Sequence, residues 1–207
     1  MPPVFFNSIS ITKPHAKIYK RLGFRKGITQ LGELHRKETD QYIDEAIKYI
    51  QLKGAGLRVS VQKGSNEEIA FLNCIISESK KLAAFLNKSE EIILMGATAG
   101  SEIIEGIKSA VENQNITRGV VYDATASEMV DAALSWIMNF FNRELVRENK
   151  LTFKKRFSAG YGDLSLEHQK TMCHLLMLEK IGVKISDTYM LSPEKSVMAI
   201  TGIFSPQ

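Results

Sequence analysis

The sequence has few of the residues that crosslink or metallate small proteins. Its 207 residues include two cysteines, Cys74 and Cys173, which stand far apart and form no CxxC pair. The four histidines have no cysteine, serine or carboxylate at a spacing typical of a zinc site or a hydrolytic triad. A chain of this length can bury a core without disulfides or metals. We therefore expect two reduced, largely buried thiols.

Long apolar runs are also missing. The longest are far shorter than the roughly 20 residues that span a bilayer as a helix. Met1–Asn7 contains prolines and no basic residue, which is unlike a secretory signal. The sequence therefore predicts a cytoplasmic protein with no membrane contact.

An excess of one charge is nearly absent. The formal net charge is +4 and the pI is about 9.0. Proteins that bind nucleic acid usually cluster their basic residues with aromatics between them, and here the charge is spread out. The densest basic runs are His15–Lys26 and Lys150–Arg156. The first is typical of a solvated helix face, and the second can instead border a ligand site or contact an acidic partner.

Neither a low-complexity linker nor an internal repeat divides the chain, so we predict one domain over residues 1–207. Hydrophobic periodicity and turn residues predict a mixture of helices and strands. Because some strands form likely hairpins and others alternate with helices, the pattern favours an α+β fold over a doubly wound sheet. The predicted strands are Val4–Ile11, Leu57–Val61, a strand within Glu68–Ile75, Glu91–Met95, Gly119–Tyr122, and a hairpin of Ser186–Leu191 with Val197–Ile203.

The predicted helices are bounded by glycines and capping residues. Gly54 and Gly56 are expected to end the second of them. Thr125-Ala-Ser-Glu128 has the spacing of a capping box, which predicts a helix start there. The helices are a short one to about Leu22, then Thr39–Leu52, Ser77–Leu86, Ser101–Glu112, the helix after the capping box with Val130, Leu134, Ile137, Met138 and Phe141 on one face, and Ser165–Ile181.

The most informative stretch is Arg156–Asp163, Arg-Phe-Ser-Ala-Gly-Tyr-Gly-Asp. Gly160 permits a close approach or a backbone conformation that a side chain would forbid. Arg156 offers a planar fork for a carboxylate, and Tyr161 offers a flat face to a base or a cation. A helix starting near Leu166 would add free N–H groups. The pattern suits a small anionic or zwitterionic ligand, and the alternative is an ordinary turn between helices.

A second glycine-rich stretch, Gly96-Ala-Thr-Ala-Gly-Ser101, lies between a predicted strand and a predicted helix. Phosphate-binding loops of this kind place a lysine before the final Ser or Thr, and this stretch has none. It is interpreted as a tight strand-to-helix turn.

The stretches Arg156–Asp163, Ser192–Val197, Ile92–Gly100 and Asp123–Asp131 together resemble the activation domain of cobalamin-dependent methionine synthase, in its short free-standing version. Arg-x-x-x-Gly-Tyr and Pro-Glu-Lys-Ser-Val are the sharpest pieces, and they occur in the family's order. The resemblance implies an antiparallel sheet with helices around it. It also implies binding of S-adenosylmethionine, whose methyl group restores oxidised cobalamin.

The resemblance implies roles for particular residues. Arg156 would bind the ligand's carboxylate, while Ser158, Gly160 and Tyr161 would meet its polar groups. Asp131 would face its positive end, and the alternative is a solvated acid on a helix face. Asp123 is interpreted as a helix-start residue and Ser196 as a turn residue. Phe157 and Ala159 stand where the family tends to have proline, which predicts a less preorganised loop.

The function implied by the resemblance is that of an accessory protein without catalytic residues of its own. It would present S-adenosylmethionine to the cobalamin of a separate methionine synthase that lacks an activation domain, with flavodoxin or ferredoxin as electron donor. No cobalt-binding Asp-x-His-x-x-Gly motif occurs, so cobalamin would belong to the partner. The alternatives are a module that binds a corrinoid protein and has lost the S-adenosylmethionine site, and an independent small-molecule enzyme.

Overall fold

The chain was analysed as a computed structural model, which describes residues 2–64, 68–71, 74–77 and 79–206, with the side chains of 71 and 74–77 left aside. Within these ranges an antiparallel sheet is combined with six α-helices. The strands are β1 Val4–Phe6, β2 Lys53–Lys63, β3 Ile69–Phe71, β4 Cys74–Ser77, β5 Glu91–Thr98, β6 Leu151–Thr152, β7 Lys184–Ile185, β8 Leu191–Ser192 and β9 Ser196–Phe204. The helices are α1 His15–Arg21, α2 Glu33–Tyr49, α3 Lys80–Phe85, α4 Glu102–Glu112, α5 Ile116–Leu145 and α6 His168–Leu176, with 3₁₀ turns at Val146–Glu148 and Leu178–Ile181.

The main sheet has the strand order β4-β3-β2-β5-β9-β6, and β1 pairs with β2 off this path. Its centre is formed by β2, β5 and β9, and all the pairings in it are antiparallel. β7 and β8 form a separate two-stranded ribbon. The predicted α+β class with an antiparallel sheet is therefore confirmed.

The sheet separates two apolar layers. Ile93, Met95 and Ala97 of β5 pack on the side that α5 covers. Their neighbours Ile92 and Leu94 pack on the opposite side with α6. This division follows from the alternation of side chains along a strand, and it places α5 and α6 on opposite faces of the sheet.

The sequence predicted that Gly54 and Gly56 end a helix. This is wrong, because both lie within β2. A Cβ at Gly54 would stand 2.6 Å from Ile137 Cδ1, and one at Gly56 would stand 2.4 Å from Phe141 Cε2. These glycines therefore let α5 approach the sheet closely. The preceding helix ends at Tyr49, and it begins at Glu33, six residues before the predicted Thr39.

The predicted strand Gly119–Tyr122 and the predicted capping box are both wrong, because the whole region lies inside the 30-residue helix α5. Thr125 does not cap a helix, and its hydroxyl donates to the Val121 carbonyl at 2.7 Å, one turn back. Val121 and Tyr122 are buried in the helical layer. The predicted apolar face of Val130, Leu134, Ile137, Met138 and Phe141 is confirmed, since all five are buried.

The predicted terminal hairpin is also wrong in its pairing. β8 pairs with β7, whereas β9 pairs with β5 and β6. The helix predicted over Ser165–Ile181 is divided into α6 and a 3₁₀ turn by Met177, whose φ is +50°. Cys173 is buried, and burial raises the pKa of its thiol. The side chain of Cys74 lies outside the described residues.

Two further predicted elements have different bounds in the structure. The strand expected within Glu68–Ile75 is split into β3 and β4. The helix expected from Ser77 begins at Lys80, where the hydroxyl of Ser79 accepts from the Leu82 N–H at 3.1 Å and so caps α3.

Candidate functional site

A cleft of about 950 Å³ lies at the edge of the sheet beside β9. Its volume is in the range of small-molecule sites in proteins. One wall is the C-terminal half of α5, the second is the segment from β6 to the start of α6, and the floor is β9. Its lining includes Asp131, Ser135, Arg156, Ser158, Tyr161, Gln169 and Met198.

The cleft exists because β9 is only partly covered on its outer side. β6 pairs with β9 at Ile203 and Phe204, and Phe157 exchanges two backbone hydrogen bonds with Ile200, at 2.9 and 2.7 Å. In an antiparallel strand, alternate residues direct their N–H and C=O groups to the same side. Met198, two residues before Ile200, therefore directs its backbone donor and acceptor towards the cleft.

Arg156 is largely buried, although it lies in a loop. Its side chain is only 19% exposed, and its Nη2 lies 2.5 Å from Asp131 Oδ1. Its Nη1 donates to Ser135 Oγ at 3.0 Å. The guanidinium is thus held against α5 at the wall of the cleft, in contact with a single carboxylate oxygen.

Asp131 and Arg156 contact each other in the structure. The sequence predicted that each contacts a different charged group of a ligand, but it did not predict that they contact each other. Asp131 extends from the interior of α5, and its second oxygen lies 3.8 Å from Lys17 Nζ. The two charges form a ready acceptor for a zwitterion, because an ammonium can replace the arginine beside Asp131 and a carboxylate can bind the arginine.

The Arg156–Asp163 segment folds as a series of tight turns. Gly160 has φ +85° and Gly162 has φ +65°, which explains both glycines. The N–H of Gly160 donates to the Leu164 carbonyl at 2.8 Å, and the N–H of Tyr161 donates to the Ser158 carbonyl at 3.2 Å. The loop is therefore internally bonded, Phe157 pairs with Ile200, and Ala159 is buried. That the loop is less preorganised than one with prolines stays a prediction.

Asp163 anchors the far end of this loop to α3. Its carboxylate accepts from the Ser79 hydroxyl and from the Lys81 N–H. The hydrogen bond from Ser79 is the main cause that lowers the pKa of Asp163 below its ordinary value. The loop is thus fixed at both ends by charged residues.

The start of α6 does not offer the free N–H groups that the sequence predicted. The amides of His168, Gln169 and Lys170 donate to the carbonyls of Ser165, Leu166 and Glu167 at 3.3, 2.9 and 3.0 Å. These bonds form a turn that precedes the helix, so its first amides are already used. A ligand must therefore be held by side chains and by the strand edge.

The remaining predicted residues differ in position. Ser158 and Tyr161 line the cleft, and the Tyr161 ring is 72% exposed at its rim. Ser196 also lines it, but its hydroxyl is 2.6 Å from the Pro193 carbonyl, as expected of a turn residue. Asp123 is an interior residue of α5, not a helix-start residue, and pairs with Lys195 at 2.6 Å.

Among the cleft residues that the sequence did not indicate, Ser135, Lys17 and Gln169 bear most directly on ligand binding. Ser135 lies one helical turn after Asp131 on α5, a spacing that could have indicated it. Lys17 comes from α1 and has no sequence signal that connects it to the loop. Gln169 lines the cleft from α6, and no residue within the described ranges forms a hydrogen bond with its buried Oε1.

Within the described parts of the chain, no group of three or more His, Cys, Asp or Glu side chains is placed to hold a metal ion. The helices in those same parts include none that is long and apolar enough to cross a membrane.

The cleft can bind and orient a ligand by its charged pair, its aromatic rim and its strand edge.

Comparisons with known proteins identify the fold. No protein-family model matches the chain, and no curated protein matches it in sequence. Among solved structures, the MetH reactivation domain bound to AdoHcy matches with a TM-score of 0.66 and 13% identity, over 91% of this chain and 73% of that one. The chain therefore has the fold of this reactivation domain, and the resemblance found in the sequence is confirmed at the level of the fold.

Proposed function

We propose that this protein binds S-adenosylmethionine in the cleft beside β9 and serves the reductive reactivation of a cobalamin-dependent methionine synthase. The observation that supports this best is the Arg156–Asp131 pair on the cleft wall, with Nη2 and Oδ1 2.5 Å apart. The fold shared with a domain that is solved with AdoHcy bound supports the same ligand class.

The cleft residues fit the amino-acid end of this ligand. The ligand's carboxylate would bind the part of the Arg156 fork that Asp131 leaves free, and its ammonium would lie beside Asp131. Tyr161 at the rim would lie against the sulfonium or the base. Ser158 and the turn at Gly160 would shape the entrance.

The ligand would supply a methyl group for transfer from sulfur to reduced cobalt. No acid or base is required for that step, so the contribution of this chain is to position the sulfur and to exclude water. Ser135 serves this by holding Arg156 at 3.0 Å against α5. Preorganisation of this kind lowers the cost of binding.

The partner in this proposal is a separate methionine synthase that lacks its own activation domain, with flavodoxin or ferredoxin as electron donor. The cobalamin belongs to that partner. Lys154 and Lys155 line the cleft beside Arg156 and are exposed, so an acidic partner surface would be attracted to the rim. The proposal includes the cytoplasmic location expected from the sequence.

Reactivation of the partner tests the proposal. A methionine synthase trapped with oxidised cobalamin is incubated with reductant, S-adenosylmethionine and this protein, and methionine formation is followed. We expect activity to return only when all three are present. Return of activity at the same rate without this protein would refute the proposal.

The second candidate is a module that binds a corrinoid protein without binding S-adenosylmethionine. It is favoured by the closed Arg156–Asp131 pair, because each charge already has a partner. Calorimetry separates the two candidates. Saturable heat with S-adenosylmethionine supports the first, whereas no heat together with binding of a corrinoid protein supports the second.

A further inference from the structure

Gln169 has a polar group that the described parts of the chain leave unsatisfied. It is the second residue of α6 and lines the cleft, and its Oε1 is buried without a hydrogen-bond partner among the described residues. A buried acceptor without a donor destabilises a fold. Such groups are uncommon in native proteins and call for an explanation.

The position of Gln169 relative to the ion pair indicates what it can contact. Arg156 and Asp131 lie on the α5 side of the sheet, whereas α6 lies on the other side. The open edge of β9 runs between them, with the Met198 backbone groups facing the cleft. A ligand that spans this edge has its charged end at Arg156 and its other end at Gln169.

The chemistry of a carboxamide fits a planar base. It has a carbonyl acceptor beside an NH₂ donor, and rotation of its terminal torsion by half a turn exchanges the two without moving the backbone. Glutamine binds adenine through this pair, accepting from the 6-amino group while donating to N7. Leu191, Ala159 and Met198 are apolar residues of the cleft lining, and an apolar lining suits a base.

We propose that Gln169 is a specificity-determining residue that binds the adenine edge of the ligand. This inference rests on the proposed function, because it concerns the base of the same S-adenosyl ligand. Because Oε1 is buried in the free protein, the Gln169 side chain has to turn to present it to the cleft. The bound base then satisfies an acceptor that has no partner among the described residues. Gln169 thus stabilises the complex at the expense of the free fold.

The test compares S-adenosylhomocysteine with S-inosylhomocysteine, which has a 6-oxo group in place of the amine, as ligands in calorimetry. A bidentate pair discriminates by about 1–3 kcal/mol, so the parent protein should prefer the adenosyl ligand by roughly five- to hundredfold. Gln169→Met, of similar length, should bind both ligands equally, at the affinity that the parent has for the inosyl ligand. Gln169→Leu is the second variant if the first folds poorly.

Two further measurements separate a ligand contact from a structural role. Thermal unfolding without ligand should show Gln169→Met to be at least as stable as the parent, because the variant has no unsatisfied acceptor. Gln51→Leu is the matched control, since Gln51 lies outside the cleft and bonds to Glu102 at 2.7 Å. It should leave the adenosyl preference unchanged.

The outcomes that overturn the inference are distinct. If the parent binds both ligands equally, or if Gln169→Met and Gln169→Leu keep the adenosyl preference, Gln169 does not bind the base. If both variants are less stable than the parent, the glutamine is structural. If the parent binds neither ligand, the proposed function itself fails, and this inference fails with it.

Discussion

Arg58 and Arg156 have almost equal side-chain exposure, 20% and 19%, yet they use their guanidinium groups differently. Arg58 is bound to two carboxylates: it forms two hydrogen bonds to Glu91, at 2.9 and 2.7 Å, and two to Glu148, at 2.6 and 2.7 Å. Arg156 meets only one carboxylate oxygen of Asp131 at short range.

The difference separates a structural arginine from one that is available to a ligand. The Arg58 network joins β2, β5 and the 3₁₀ turn after α5. It leaves one N–H of Nη1, too little to bind another carboxylate through two hydrogen bonds. Its hydrogen bond is the main cause that lowers the pKa of Glu148 to about 2.

The Nη1 of Arg156 contacts the Ser135 hydroxyl, the Asp131 carbonyl and the Met138 sulfur. Among the described residues its Nε–H and one hydrogen of Nη2 have no acceptor, and they lie beside a cleft whose lining does not include Arg58.

Replacing Arg156 should give the largest effect on binding. A hydrogen bond to a charged group contributes about 1.5–3 kcal/mol, so Arg156→Ala should weaken S-adenosylmethionine binding roughly ten- to hundredfold. Arg156→Lys keeps the positive charge but has no planar fork, so its affinity for S-adenosylmethionine should lie between those of the parent and of Arg156→Ala. Calorimetry measures both, and Arg58→Ala, outside the cleft, is the control that should bind normally.

Stability should change little in Arg156→Ala, by about 1 kcal/mol or less, because Asp131 is 41% exposed and water can solvate it. An Arg156→Ala protein that binds as tightly as the parent, or that no longer folds, would show that both arginines are structural.

Gly160→Ala tests whether the loop conformation behind Arg156 matters for binding. A residue with φ +85° strains any side chain by about 1–2 kcal/mol, and the new Cβ would stand 3.1 Å from Leu166 Cδ1. We expect weaker binding, by less than about tenfold, with some loss of stability. Gly182→Ala is the matched control, since Gly182 has φ +84° away from the cleft and nothing within 4 Å of the added Cβ.

The two glycine variants should lose similar stability, and only Gly160→Ala should lose affinity. Equal affinities would show that the turn at Gly160 does not shape the site.

Arg58→Ala should lower the free energy of unfolding by about 1 kcal/mol, since the network is partly exposed, and should leave ligand affinity unchanged. Urea unfolding at pH 7 measures this. Because the folded-state pKa of Glu148 is below its unfolded value, its contribution is complete above about pH 4.3 and is lost as the pH falls towards about 2. The difference between parent and variant should therefore shrink on acidification, and a constant difference would contradict the network.

Asp163→Asn should give the smallest effect. The folded-state pKa of Asp163 is lowered, so its stabilising contribution is present above the unfolded value near 3.9 and is lost as the pH falls through the folded value. The melting temperature of the variant should be slightly lower than that of the parent at pH 7. In stronger acid the two melting temperatures should be the same. Asp187→Asn, on an exposed residue outside the loop, is the control.

The sequence predicted the class of the fold and most of its helices, because periodicity reports which face of an element is buried. It failed at Gly54, Gly56 and Gly119–Tyr122, where the residue choice serves contacts with a distant element. The close approach of α5 to β2 is the reason for both glycines, and no local pattern reports it.

The candidate site was predictable in its residues and not in its arrangement. Four of the five predicted site residues, Arg156, Ser158, Tyr161 and Asp131, line one cleft, and Gly160 is not among its lining residues. That these residues bind a ligand stays a prediction. The contact between Arg156 and Asp131, and the approach of Gln169 from the opposite side of the sheet, depend on the packing of α5 and α6 around β9. Such long-range contacts leave no signal in the spacing of residues.

The most direct test of the account is a calorimetric titration of the parent protein with S-adenosylmethionine and with its decarboxylated form. If the free part of the Arg156 fork binds the ligand's carboxylate, the parent should bind the complete ligand saturably and at least about tenfold more tightly than the decarboxylated one. Arg156→Ala should not distinguish the two. Equal affinities of the parent for both ligands, or no binding of either, would contradict the account.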